Sequence, residues 1–272
     1  MNAKHALKDM TWVEFRERLA ERPVMLLPLG SQEEQGPHAP MGDYMLTQRI
    51  SEMAAEKSGA IAAPIMPFGY ADFFKTVPGG IQLRAKTFSM VLDDMASAFL
   101  EHGIERLIIF NGHSSNAPLI DQTVRLIKKR TGVTIPALHI WRILPASLWK
   151  DAHGDKANAA KGHGGDPLTS VYKYLYPELL RPDLISKSGA KRAFGMATDG
   201  VGGSTFQGAP VAMPLDVTDV TDNGIISGDP TIATAEAGKL IVDWLVDFTT
   251  QFVAHWRACD PRKIDHQPDV PK

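Results

Sequence analysis

Short apolar runs alternate with amphipathic segments along this chain, and no other feature of the sequence constrains its fold as much. That alternation is the signature of βαβ units built around a mostly parallel sheet. Residues 11–20 read as an opening helix, with Thr11 as N-cap and Glu14 completing a capping box. The run 24–28 reads as a buried strand that ends at Gly30 and Ser31. Residues 44–56 carry Met45, Ile50, Met53 and Ala54 at helical spacing, with Gly59 as the stop. Residues 60–66 are the next strand candidate, and 69–83, with Pro78-Gly79-Gly80, a loop. The clearest helix is 87–102, capped by Thr87 and stopped by Gly103. The run 106–110 (RLIIF) predicts a strand, 117–129 a helix, 134–140 a strand and 168–176 a short helix. Residues 233–255 predict a long amphipathic C-terminal helix. The chain of 272 residues shows no repeat and no linker-like shift in composition. The expectation is one α/β domain over 1–272, with a layered, mostly parallel central sheet flanked by helices.

In open α/β sheets ligands bind at the carboxyl ends of the strands. Two polar loops follow predicted strands directly, GSQEEQGPHAPMGD (30–43) and NGHSSN (111–116), so both are expected at one crevice. The first packs Glu33, Glu34, Asp43 and His38 among three glycines and two prolines. Glycine lets backbone approach a ligand, and proline stiffens the loop. A solvated surface turn can share that composition. In the second loop, His113 can offer a neutral imidazole as a ligand. A plain strand-to-helix turn, with Ser115 or Asn116 as cap, explains the same residues. A third segment, GHGGDPLTS (162–170), frees His163 between glycines and sets Asp166 near it, to orient it or to act as a base. Anion cradling competes with that reading, but no Lys-Ser or Lys-Thr pair follows, so this is no P-loop. His153 is a weaker candidate and reads as a solvent-facing loop residue. Phe73, Phe74 and Trp141 offer an apolar wall, or simply core.

Carboxylates with imidazole and no thiolate cluster suit a divalent zinc, manganese or iron ion. Such an ion lowers the pKa of bound water to about 7 and polarises a carbonyl, which serves hydrolysis. The alternatives are weak. No G-x-S-x-G elbow or dinucleotide fingerprint is present, and the single cysteine, Cys259, reads as an incidental thiol. Lys and Arg number 29 against 31 Asp and Glu, a net charge of −2 that gives no case for nucleic acid or a membrane surface. No apolar run is long enough to span a bilayer, the N-terminus lacks an apolar signal core, and a cytoplasmic location is expected.

The three motifs resemble those of the creatininase family of metal-dependent hydrolases. The family's G-S-x-E-Q-H-G-P-H-x-P-x-x-T-D, N-G-H-G-G-N and H-A-G-x-x-E-T-S are represented here by GSQEEQGPHAPMGD, NGHSSN and HGGDPLTS. The segments PGGIQLRAKTF and GIISGDPTIATAEAG are similar to the family in the same order, so the likeness runs from about residue 11 to about residue 250. The resemblance implies a layered α/β fold, a homohexamer and a carboxylate-and-histidine metal centre acting on a C–N bond of a cyclic amide or formamide. It places Glu33 and His113 as metal ligands and His163 as the proton-transfer group beside the substrate. Asp43 takes the bridging aspartate's place if the loop is one residue shorter than the family's. The sequence also departs from the pattern. The family's second ligand histidine is Gln35, the glutamate of E-T-S is Leu168, and a further metal-binding glutamate is Ser115. The expectation is therefore one metal on Glu33, Asp43 and His113, with Glu34, Gln35 and Ser115 as substrate or outer contacts and Asp166 assisting His163. Three further readings stay open: C–C hydrolysis of an inosose-type cyclic polyol ketone, isomerase or lyase action on a sugar-like ketone, and a non-catalytic binding relative.

Overall fold

The computed structural model describes residues 3–265 and 267. Its elements are α1 (Trp12–Leu19), β1 (Met25–Leu29), α2 (Tyr44–Ser58), β2 (Ile61–Ala62), α3 (Ala85–Glu101), β3 (Leu107–Asn111), α4 (Ala117–Thr131), β4 (Ala137–His139), α5 (Ala146–His153), α6 (Ala157–Ala160), α7 (Leu168–Leu175), β5 (Arg192–Ala193), β6 (Met196–Thr198), β7 (Gly203–Phe206), β8 (Ala209–Ala212), α8 (Val217–Val220) and α9 (Ala235–Ala258). The first four strands form a parallel sheet in the order β2-β1-β3-β4. The structure is thus the α/β arrangement that the alternation predicts.

The strands bury both faces, as parallel strands covered by helices must. Val24, Leu26, Ile108 and Phe110 face one core shared with α2, α7 and α9. Met25, Leu27, Leu29, Leu107 and Ile109 alternate to the other face, against α3 and α4. Register decides where the chemistry lies. Leu29 pairs with Asn111, and Asn111 with His139, so β1, β3 and β4 end level. The loops that follow them leave one edge of the sheet side by side.

Several boundaries differ from the sequence reading. The 60–66 run yields only the two-residue β2 and a bridge from Leu29 to Met66, because Pro64 and Pro67 cannot donate to a ladder. Helix α3 starts at Ala85 after an extended Arg84, so Thr87 lies inside it and caps nothing. The 134–140 run keeps only β4, with Pro136 before it. The capping box of Thr11 and Glu14 is present. The alternation did not anticipate a second sheet. Strands β5 to β8 form an antiparallel meander over 192–212. Its tight turns are Phe194-Gly195 and Gln207-Gly208, all four residues at positive φ. That is the two-residue geometry whose twist matches a hairpin.

Candidate metal centre

The loop after β1 and the loop after β3 bring three buried ligand groups together. Glu33, Asp43 and His113 each offer one donor atom, and these atoms lie within 4.8 Å of one another. His113 Nδ1 is 3.0 Å from Asp43 Oδ2 and 3.0 Å from Glu33 Oε2. The Asp43 contact has hydrogen-bond geometry; Glu33 Oε2 is fully buried and accepts none. A buried carboxylate oxygen without a donor is costly unless a cation answers it. The donor set, two carboxylates and one imidazole, is what a divalent zinc or manganese ion takes. The residues therefore fit a divalent ion.

Neighbouring contacts fix each group. Asp43 Oδ1 accepts from the Ser31 amide at 2.7 Å, and Gln35 Nε2 donates to Glu33 Oε1 at 2.7 Å. Asn111 braces the histidine loop by donating to the His113 carbonyl at 2.7 Å, and Asn116 donates to Asn111 and to the Gly30 carbonyl. Tyr172 donates to the Gly42 carbonyl and pins the far end of the carboxylate loop. Two glycines permit the close approach. A Cβ on Gly30 would lie 2.5 Å from the Tyr44 backbone, and one on Gly112 would lie 1.7 Å from Thr47 Oγ1. The sequence reading offered Asn116 only as a helix cap, whereas its side chain makes no cap hydrogen bond and braces this loop instead; Asn111 and Tyr172 were not singled out.

Electrostatics follow from burial and pairing. Burial opposes a charge on His113, but the Glu33 and Asp43 carboxylates outweigh it and hold the ring well above its usual value. Burial likewise pushes the Asp43 carboxyl up, against the pull of His113. Burial also works against protonation of His163, and Glu34, accepting from Nε2 at 2.7 Å, more than offsets it.

This cluster forms part of the lining of a cavity of about 530 Å³, together with Gln35, Ser115, His163 and Asp166. Phe73, Phe74 and Trp141 line it too, so they form the apolar wall; the Phe74 ring lies 4.7 Å from that of His163. Two expectations need correction, those for Asp166 and His153, and the one for Glu34 narrows to an outer contact. Glu34 does not line this cavity: its carboxylate accepts from His163 and from the Gly36 amide at 2.7 Å. Asp166 makes no direct hydrogen bond to His163; it accepts from the amide and hydroxyl of Ser170 at 2.8 and 2.5 Å. His153 is not solvent-facing: its side chain is 1% exposed and its Nε2 lies 2.8 Å from Asp166 Oδ2, because α5 ends against the start of α7. The pair of glutamates, which sequence alone leaves undivided, is resolved: Glu33 faces the metal cluster and Glu34 faces His163.

The family model for creatininase, described as creatinine amidohydrolase, matches residues 8–253. The chain belongs to the creatininase family. It is 27% identical to the creatinine amidohydrolase of Pseudomonas putida over 194 residues, 65% of this chain and 74% of that one. It is 24% identical to the 3-dehydro-scyllo-inosose hydrolase of Thermotoga maritima, over 90% of this chain and 81% of the relative. A mycofactocin precursor peptide peptidase of Mycobacterium ulcerans is 26% identical over 86% of each chain. The crystal structure of creatinine amidohydrolase superposes with a TM-score of 0.76 at 23% identity, covering 93% of this chain and 98% of that one. The chain is thus a member of a hydrolase family with that family's fold. Within it, the three departures fall at this site. Gln35 holds Glu33, while Ser115 and Leu168 line the cavity. Among the described residues, Glu33, Asp43 and His113 are the one cluster of this kind. No helix among them is long and apolar enough to cross a membrane.

Proposed function

We propose that this chain is a one-metal hydrolase, with a divalent ion, zinc foremost, held by Glu33, Asp43 and His113. Its substrate class is a small polar molecule with a C–N bond in a cyclic amide or formamide. The observation that carries the reading is the donorless, buried Glu33 Oε2 beside the shared imidazole at the cavity lining. When bound, the ion supplies Lewis acidity, which lowers the pKa of water and polarises a carbonyl oxygen.

The chain's own residues supply the rest. Gln35 fixes the rotamer of Glu33 and fills with an amide the place where the family has a second ligand histidine, which favours one ion over two. His163, half-buried and on the cavity lining, moves a proton to the leaving nitrogen at Nδ1, while Glu34 holds Nε2 and keeps the ring oriented. Ser115 offers a hydroxyl to the substrate. Asp166 is a positioning residue: its hydrogen bonds to Ser170 hold the loop that carries His163. The exposed antiparallel sheet, with Phe194 at 85% and Phe206 at 54% exposure, supports a homo-oligomer, and the family resemblance supports a hexamer.

The test is a panel of creatinine, formamides and inosose-type diketones offered to zinc-loaded or manganese-loaded protein, with product masses read out. Hydrolysis adds one water; a product of unchanged mass would replace the hydrolase with an isomerase. His163→Asn is expected to lower kcat by roughly 10²- to 10⁴-fold with metal content retained. An unimpaired His163→Asn would remove the proton-transfer role.

A further inference from the structure

The cavity that holds the metal cluster has two cations at its lining that the proposed chemistry does not use. Glu33 and Asp43 answer the ion and His113, Asp166 is held by Ser170 and His153, and His163 is paired with Glu34. Lys161 and Arg142 also line the cavity, and neither has a carboxylate within ion-pair distance among the described residues. Arg142 Nη2 donates to the Ser114 carbonyl at 3.2 Å, beside His113, and the side chain lines the cavity. Lys161 Nζ sits 4.6 Å from the ring centre of Trp149, which is itself buried. An ammonium held against an aromatic face is positioned and partly desolvated without being neutralised. Once a divalent ion is balanced by Glu33 and Asp43, the two cations Lys161 and Arg142 outnumber the Asp166 carboxylate at the cavity lining. A concave site with surplus positive charge concentrates anions.

Placement gives the charge a use. Lys161 directly precedes Gly162-His163, so its ammonium and the His163 imidazole belong to one loop. Arg142 follows β4, whose end is level with the end of β3 that carries His113. A ligand whose reacting carbonyl lies at the Glu33, Asp43 and His113 cluster therefore shares its cavity with Lys161 and Arg142. We infer that Lys161, with Arg142 at the rim, is an anion-recognition site, and that the substrate carries a carboxylate in addition to the group that reacts. This inference rests on the one-metal reading above and narrows its substrate class to cyclic amides or formamides that carry a carboxylate.

Equilibrium binding of hydroxamates to the zinc-loaded chain separates the two claims. Propionohydroxamate and butyrohydroxamate are the neutral probes. The monohydroxamates of succinic and glutaric acid add a carboxylate, and 3-phosphonopropionohydroxamate adds a phosphonate. At least one carboxylate probe should bind about tenfold tighter than its neutral counterpart, the gain of one charge-assisted contact. Lys161→Met keeps the stem on Trp149 and removes the charge; in it that ratio should fall to about one with zinc content unchanged, and Arg142→Gln should lower it by a smaller factor. A phosphonate advantage that exceeds the carboxylate one would overturn the carboxylate assignment. A ratio near one in the unmutated protein, or an undiminished ratio in Lys161→Met, would overturn the site while leaving the metal reading intact. Failure of every hydroxamate to bind zinc-loaded protein would overturn the metal reading and the inference with it.

Discussion

At the scale of single residues, the site is a set of buried ionisable groups whose protonation is tied to what they bind. His113 is held above its ordinary value by two carboxylates, so the metal-free cluster keeps a proton at neutral pH that a free imidazole would share with water. A metal takes the neutral ring, so binding must expel that proton. Zinc titration calorimetry in buffers of different ionisation enthalpy should show about one proton released per ion near pH 7; no release would contradict the shared-proton cluster. His38 behaves in the opposite sense. It is buried, with Nε2 3.0 Å from the Thr169 hydroxyl, and burial, with the nearby Lys173 charge, lowers its pKa to about 4. Its folded value lies below the unfolded one, so the unfolded chain takes up the proton first as pH falls. The stability this group preserves is complete above about pH 6.5 and is lost as pH drops toward 4, by about 3 kcal/mol across that window. Urea denaturation of His38→Gln should show that acid-side slope reduced relative to the unmutated protein. Equal slopes would mean that His38 charges freely in the fold.

Between elements, the glycines decide how closely the loops can meet. Gly112 lies at the end of β3 against Thr47 of α2, and a methyl group there would overlap the threonine hydroxyl. Gly112→Ala is expected to cost about 1–3 kcal/mol by overpacking, and Thr47→Ala should return part of that cost in the double variant. Additive losses would show that the two residues do not press on each other. The parallel sheet and its helices are legible in the sequence because each apolar run ends in a polar loop. The meeting of the two loops is legible because strand ends gather loops, and the family resemblance singles out Glu33, Asp43 and His113 within them. What lies beyond periodicity is pairing. Nothing in the spacing tells that Glu34 rather than Asp166 meets His163, or that α5 carries a buried His153 to Asp166. The small antiparallel sheet escaped because strands of two to four residues carry too little alternation. Its signal lay in the glycines of the Phe194-Gly195 and Gln207-Gly208 turns.

Across the whole molecule, the level ends of β1, β3 and β4 make one edge of the sheet the place for chemistry, and two helical layers hold that edge in register. The family fold thus supplies a frame on which one ligand cluster stands, with Gln35, Ser115 and Leu168 beside it at the cavity lining. The central claim is that this frame holds a single divalent ion. Elemental analysis of metal per chain, on protein purified without chelator and on its His113→Ala variant, tests it most directly. The account predicts about one equivalent of zinc, manganese or iron in the unmutated chain and its loss in the variant. Two equivalents per chain, or one equivalent that survives the loss of His113, would contradict it.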